Sequence, residues 1–151
     1  MKKLIPIKPH FAESAHVDLK KYQAMYKESI ENPESFWAQQ AERLTWFKKW
    51  DKVKSVSYQK PVSIKWFEGG ELNISYNCID RHLARHANKT AILWESDDVN
   101  VPSQKISYQK LHDEVCRYAN VLKKNGVCKG DIVTIYMPMI PEAAYGIIGV
   151  S

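Results

Sequence analysis

At 151 residues, the chain is long enough for one domain or for part of a larger one. Its 44% hydrophobic and 26% charged residues exclude a disordered polymer, and no run of about eighteen apolar residues is present to cross a membrane as a helix. The net charge of +5 comes without an Arg-rich run, an RNP motif or a zinc finger, so it reads as a solvated surface and not as a nucleic-acid face.

In chain order, MKKLIPIKPH carries two lysines but lacks the apolar stretch of a secretory signal. Residues 1–20 are expected to form a loose arm. Leu19, Tyr22, Tyr26 and Ile30 then fall at helical spacing. Asn32-Pro33 is a helix start, because Asn can cap and Pro suits the first helical position. Trp37, Ala41, Leu44 and Phe47 follow at i, i+4, i+7 and i+10, which predicts one continuous apolar stripe. Trp46 and Trp50 lie beside it. Val62–Phe67 alternates in part and predicts a short strand, with a turn at Glu68–Gly70. Asn77–Ala87 reads as a helix with Ile79 and Leu83 inward and Asn88 as its C-terminal cap. Ala91–Trp94 is a short buried strand. The chain turns at Ser96-Asp97-Asp98, and Val101–Ser107 returns as a hairpin partner.

Ser107 caps the next predicted helix, whose Leu111, Val115, Tyr118 and Leu122 share one face. Asn125-Gly126 stops it, since Gly tolerates the left-handed conformation. Ile132–Met137 reads as a buried strand, and Pro141 opens another helix. A strand, helix and strand in this order predict a right-handed βαβ crossover with parallel strands.

Residues able to do chemistry are few. Cys78, His82 and His86 stand at i, i+4 and i+8, so neighbouring pairs could share a metal. His82-Leu83-Ala84-Arg85-His86 has zincin spacing, but Leu83 occupies the place of the general base. The simpler reading is a helix face with neutral imidazoles. Cys116 reads as a buried structural thiol, with His112 one turn earlier and able to touch it. Three cysteines without tight spacing suit a reducing compartment, hence the cytoplasm. Asp97-Asp98 is a turn and Asp113-Glu114 an exposed helix face. Asp80 is expected to pair locally with Arg81 and Arg85. Gly69-Gly70 and Gly126…Gly130 make neither GxxxxGK[ST] nor GxGxxG. Tyr136-Met137-Pro138 and Pro141 lie at a strand end, where open α/β sheets place ligands.

Three stretches together are more specific: Val62–Asn73 (VSIKWFEGGELN), Asn77–Leu83 (NCIDRHL) with Thr90–Asp98 (TAILWESDD), and Ile106–Ala144 through YMPMIPEAA. With SIENPESFW at Ser29–Trp37, they run colinearly over most of Tyr22–Ala144. They resemble the N-terminal part of the AMP-forming acetyl-coenzyme A synthetases, of the acyl-adenylate-forming superfamily. The resemblance implies an α/β fold: the incomplete N-terminal portion of a doubly wound adenylate-forming domain, preceded by an α-helical segment and short strands. It implies a helical segment over 21–88 and the start of the AMP-binding domain over 89–151. GIIGVS departs from the longer Ala-rich helix of the family, which reads as a truncated or frameshifted frame.

Family members join acetate to coenzyme A through an acetyl-adenylate, using ATP and Mg²⁺. Their triphosphate rests on a Ser/Thr/Gly-rich loop ending in Pro-Lys-Gly. A later Thr-Gly-Asp motif holds the nucleotide, and a Lys in a mobile C-terminal domain completes the site. None of these occurs in this sequence. The resemblance therefore assigns no catalytic, cofactor-binding or metal residue here, and these residues alone are expected to be inactive and to bind no cofactor. Trp66, Asn77, Asp80 and Arg81 are expected to brace the N-terminal lobe. A non-catalytic module that docks with a separately encoded remainder of the synthetase is the alternative; nucleic acid and membrane are not expected as partners.

Overall fold

A computed structural model describes residues 5–150. The chain forms two compact units. One holds residues up to Leu44 together with Trp50–Gly69; the other holds Thr45–Lys49 with the residues from Gly70 onward.

The first unit begins with a short helix, α1 (Pro9–Glu13), that buries no residue. Helix α2 (Leu19–Glu31) starts at Asp18, whose carboxylate accepts the Lys21 N–H at 2.7 Å. This cap satisfies one orphan amide of the first turn. Its predicted stripe is present, yet Leu19, Tyr22, Tyr26 and Ile30 are all exposed. Helix α3 (Pro33–Ala41) starts on Pro33 as expected, although the Asn32 side chain makes no capping bond. It stops at Ala41. The expected stripe through Leu44 and Phe47 is therefore broken, and the buried residues of α3 are Phe36 and Ala41. Phe36, Trp37 and Trp66 meet edge-on, with ring centroids 5.1 and 6.1 Å apart along the chain of contacts.

Strands β1 (Lys52–Ser57) and β2 (Ser63–Glu68) pair antiparallel, with Lys54 opposite Trp66 and Val56 opposite Ile64. The Lys54 ammonium lies 5.4 Å from the Trp66 ring centre, a cation–π contact across the ladder. The turn after β2 needs Gly69. Its φ is +76°, and a Cβ there would sit 2.2 Å from an Asp51 carboxylate oxygen.

The second unit gathers around one apolar cluster: Ile79, Ile106, Leu111, Val115 and Tyr145. A π-helical turn (Tyr76–Asp80) runs into α4 (Arg81–His86). Helix α4 ends with Ala87 at its C-cap, one residue before the predicted Asn88. Strands β3 (Thr90–Trp94) and β4 (Gln104–Ser107) form the expected antiparallel hairpin. Helix α5 (Tyr108–Lys124) starts at Ser107, whose hydroxyl accepts the Lys110 N–H at 3.2 Å. Gly126, at φ +82°, ends it. Helix α6 (Pro141–Gly149) begins on Pro141 and packs along α5. Gly149 permits the approach: a Cβ on it would lie 3.0 Å from Tyr118 Cβ and 3.3 Å from the Val115 carbonyl oxygen.

The predicted parallel strand does not form. Residues 131–139 lie in no regular element, and both described sheets are antiparallel pairs. A strand buried on both faces needs neighbours to accept its backbone groups and cover its side chains. Here Val133 and Ile135 are half-buried, while Ile132 is 95% and Tyr136 100% exposed. One side of the segment is packed and the other is open.

Candidate functional site

The best-built polar feature of the second unit is Asn77, 6% exposed in the π-helical turn. Its side-chain oxygen accepts the Thr45 N–H at 2.7 Å. Its amide nitrogen donates to the carbonyls of Thr45 at 2.9 Å and Asn73 at 3.0 Å. Asn is the side chain for this job, because one planar group both accepts and donates twice. Residues Phe47 and Lys48 add backbone bonds to Glu71, at 2.8 Å for the Phe47 N–H and 2.9 Å for the Glu71 N–H to Lys48. Arg81 reaches the Thr45 hydroxyl at 3.4 Å. Asn77 and Arg81 therefore anchor Thr45–Lys49 within the second unit. Trp66 braces the first unit through Trp37 and Lys54. Sequence marked these residues as architectural, but only the fold names their partners.

Asp80 faces His112 of α5, with 3.5 Å between Oδ1 and Nε2. The same Nε2 lies 3.5 Å from Cys116 Sγ. Cys116 is exposed, which corrects the expectation of a buried thiol: the inward positions of α5 are Leu111 and Val115, and Cys116 follows one residue round the helix. Cys78, His82 and His86 are drawn into no metal-binding group; among the described residues no three His, Cys, Asp or Glu side chains gather for one. The His82 and His86 ring centres stand 6.4 Å apart.

Of the acidic pair, Asp113 is exposed as expected, while Glu114 is half-buried under its partners on the same helix. Gln109 donates to Asp113 at 2.9 Å, and this bond holds the carboxyl below its ordinary range, helped by His112 and Arg117. Lys110 pairs with Glu114 and lowers its carboxyl in the same way, with Arg117 at 2.9 Å adding to the effect. Carboxyls depressed in the folded state stabilise it above their unfolded values of 3.8 and 4.5; the contribution fades as pH falls below those values and is gone beneath the folded ones. The Glu114→Gln variant is thus expected to melt below the parent chain at neutral pH and to converge with it in acid. A gap in melting temperature that persists in acid would contradict this origin.

A cavity of about 820 Å³ opens in the second unit beside the end of α5. Leu72, Leu122 and Val127 give it an apolar wall; Lys123, Lys129, Glu71 and Asp131 mix both charges around it. This set does not fit a nucleotide triphosphate. Lys123 already sits on the last turn of α5, where the helix dipole is negative. The N-terminus of α6 is no better: Pro141 lacks an N–H and Glu142 places a carboxylate in the first turn. The Ser107 hydroxyl occupies the N-terminus of α5. The Tyr136-Met137-Pro138 loop offers an exposed phenol but no cation.

Comparison with known proteins identifies the scaffold. Residues 22–78 match the family model for the acetyl-coenzyme A synthetase N-terminus, and residues 79–151 match that for AMP-binding enzymes. An acetyl-coenzyme A synthetase of Bdellovibrio bacteriovorus is 62% identical over 143 residues, covering 95% of this chain and 22% of the relative. The chain matches the N-terminal part of the acetyl-coenzyme A synthetases. A synthetase of the same name from Parvibaculum lavamentivorans is 55% identical over 146 residues, with 96% and 22% covered. The chain thus spans about a fifth of the length of the acetyl-coenzyme A synthetases it matches. An acetoacetyl-CoA synthetase structure from Streptomyces lividans superposes with a TM-score of 0.75 at 22% identity, over 93% of this chain and 21% of that one. That likeness shows the fold: the described helices and short strands are a part of the adenylate-forming architecture.

Proposed function

We propose that residues 1–151 are the N-terminal framework of an acetate–CoA ligase. In the complete reaction, the acetate carboxylate attacks the α-phosphate of ATP and diphosphate leaves. The coenzyme A thiol then attacks the acetyl-adenylate carbonyl, and AMP leaves. Mg²⁺ serves the phosphates. The 62% identity to one acetyl-coenzyme A synthetase supports this reading. The chemistry itself needs cations and backbone N–H groups focused on the phosphates. These residues supply no such set, so their part is to frame the remainder, in the cytoplasm and without nucleic acid or membrane as partner.

The expected result is direct. Purified Met1–Ser151 forms no acetate-dependent AMP or acetyl-CoA. Adding a polypeptide that carries the remaining part of the Bdellovibrio relative produces both. Turnover by the 151 residues alone, undiminished by further purification, would overturn the proposal.

A second reading has its own observation. Among the described residues, no backbone N–H from Ile132 to Met137 donates a hydrogen bond, and Ile132, Tyr136 and Met139 are exposed. An unpaired extended segment with an open apolar side favours docking to a separately encoded remainder. Co-purification of the two polypeptides separates this reading from a framework that works only within one chain.

A further inference from the structure

The contact between α5 and the π-helical turn does more than pack. His112 Nε2 is shared between the Cys116 sulfur and the Asp80 carboxylate, each 3.5 Å away. The other ring nitrogen, Nδ1, is sealed from solvent and has no hydrogen bond among the described residues, although Asp113 Oδ1 lies 3.5 Å off. We propose that Cys116 is a thiol–disulfide exchange site, with His112 as its proton acceptor and Asp80 holding the ring.

The chemistry follows from the shared nitrogen. In the neutral ring with its proton on Nδ1, the Nε2 lone pair faces the Asp80 oxygen and the thiol together. Moving the Cys116 proton to Nε2 turns the Asp80 contact from lone pair against lone pair into a charge-assisted bond. Asp113 Oδ1 lies on the Nδ1 side of the ring, 3.5 Å away. Glu114 is occupied by Lys110 and Arg117, so its charge is largely compensated. Arg117 itself adjoins Cys116 in sequence.

The thiolate sulfur of Cys116 then attacks one sulfur of a small disulfide. The new S–S bond forms as the old one breaks, and the leaving sulfur takes the electron pair and then the proton held on His112. Cys116 ends in a mixed disulfide and one small thiol is released. The disulfide is the oxidant, so electrons balance.

The three cysteines make an internal control, because Cys78, Cys116 and Cys128 are all exposed. Among the described residues, neither Cys78 nor Cys128 is hydrogen-bonded to an imidazole; Cys128 Sγ donates to the Gly126 carbonyl at 3.4 Å. The test incubates the 151-residue chain with glutathione disulfide near neutral pH and follows mixed disulfide at each cysteine by peptide mass spectrometry. Cys116 is expected to react faster than the other two by on the order of tenfold. In His112→Gln, its rate should fall to theirs while theirs stay unchanged; Asp80→Asn should give a partial loss. Equal rates at the three cysteines of the unaltered chain would overturn the proposal without any variant. So would an unchanged Cys116 rate in a folded His112→Gln chain.

Discussion

Replacing Ile79 by Ala is expected to destabilise the second unit by about 3 kcal/mol, within the range for large-to-small changes in a packed core. Ile79 is 1% exposed and lies at the centre of the cluster with Ile106, Leu111, Val115 and Tyr145. Its removal deletes contacts from the π-helical turn, β4, α5 and α6 together. None of those four pieces can relax far enough to fill the space without breaking its own backbone bonds. Hydrogen exchange at the α5 amides in urea is the suitable readout, because it reports this unit alone. A loss below about 1 kcal/mol would show that the site collapses freely and that the cluster is not a core.

Asn77→Asp is expected to rank beside it. The substitution keeps the shape and the acceptor for the Thr45 N–H, but it turns a donor to two carbonyls into a carboxylate facing them. The half-buried Thr45 carbonyl loses this donor, the Asn73 carbonyl keeps the Asn77 backbone N–H at 3.2 Å but loses the side-chain one, and a charge is left in a site that is almost sealed. Each unsatisfied group costs about 1–3 kcal/mol, so a loss of about 3 kcal/mol or more is expected near neutral pH. The sign of the pH effect is fixed. Protonating the new carboxyl removes its charge and restores one donor, so the variant should recover part of its deficit in acid. A stability deficit independent of pH would refute the role assigned to the Asn77 amide. Asn77→Ala is a milder companion, since it leaves groups unpaired but buries no charge.

Features written in adjacent residues were legible before any coordinates. The Ser107 cap, the Gly126 stop and Pro141 at the head of α6 each depend on a few consecutive residues. The β3–β4 hairpin is likewise local. What failed was non-local. Strand β1 (KVKSVS) has two apolar residues and no alternation strong enough to announce it; it exists because β2 offers a ladder and Trp66 a face for Lys54. The stripe through Leu44 and Phe47 obeyed helical spacing, yet Thr45–Lys49 is claimed by Asn77 and Glu71. Spacing cannot see that competition. Ile132–Met137 has a strand's composition but, within the described residues, no strand to pair with. The thiol beside His112 was visible as a one-turn spacing. Its third member, Asp80, lies 32 positions earlier than His112 by their numbering, and only the fold brings it in.

The π-helical turn at Tyr76–Asp80 has one more outcome. Such a turn carries an additional residue per revolution, and here that allowance lets Asn77 and Ile79 both face inward. Dropping one amino acid from the loop of backbone would rewind it to ordinary pitch. Arg81–His86 would keep their facing, because four residues at α pitch cover about the same rotation as five at π pitch, but Asn77 and Ile79 would no longer both point inward. The stretch can therefore trade side chains at its exposed positions over evolutionary time, but its length is frozen.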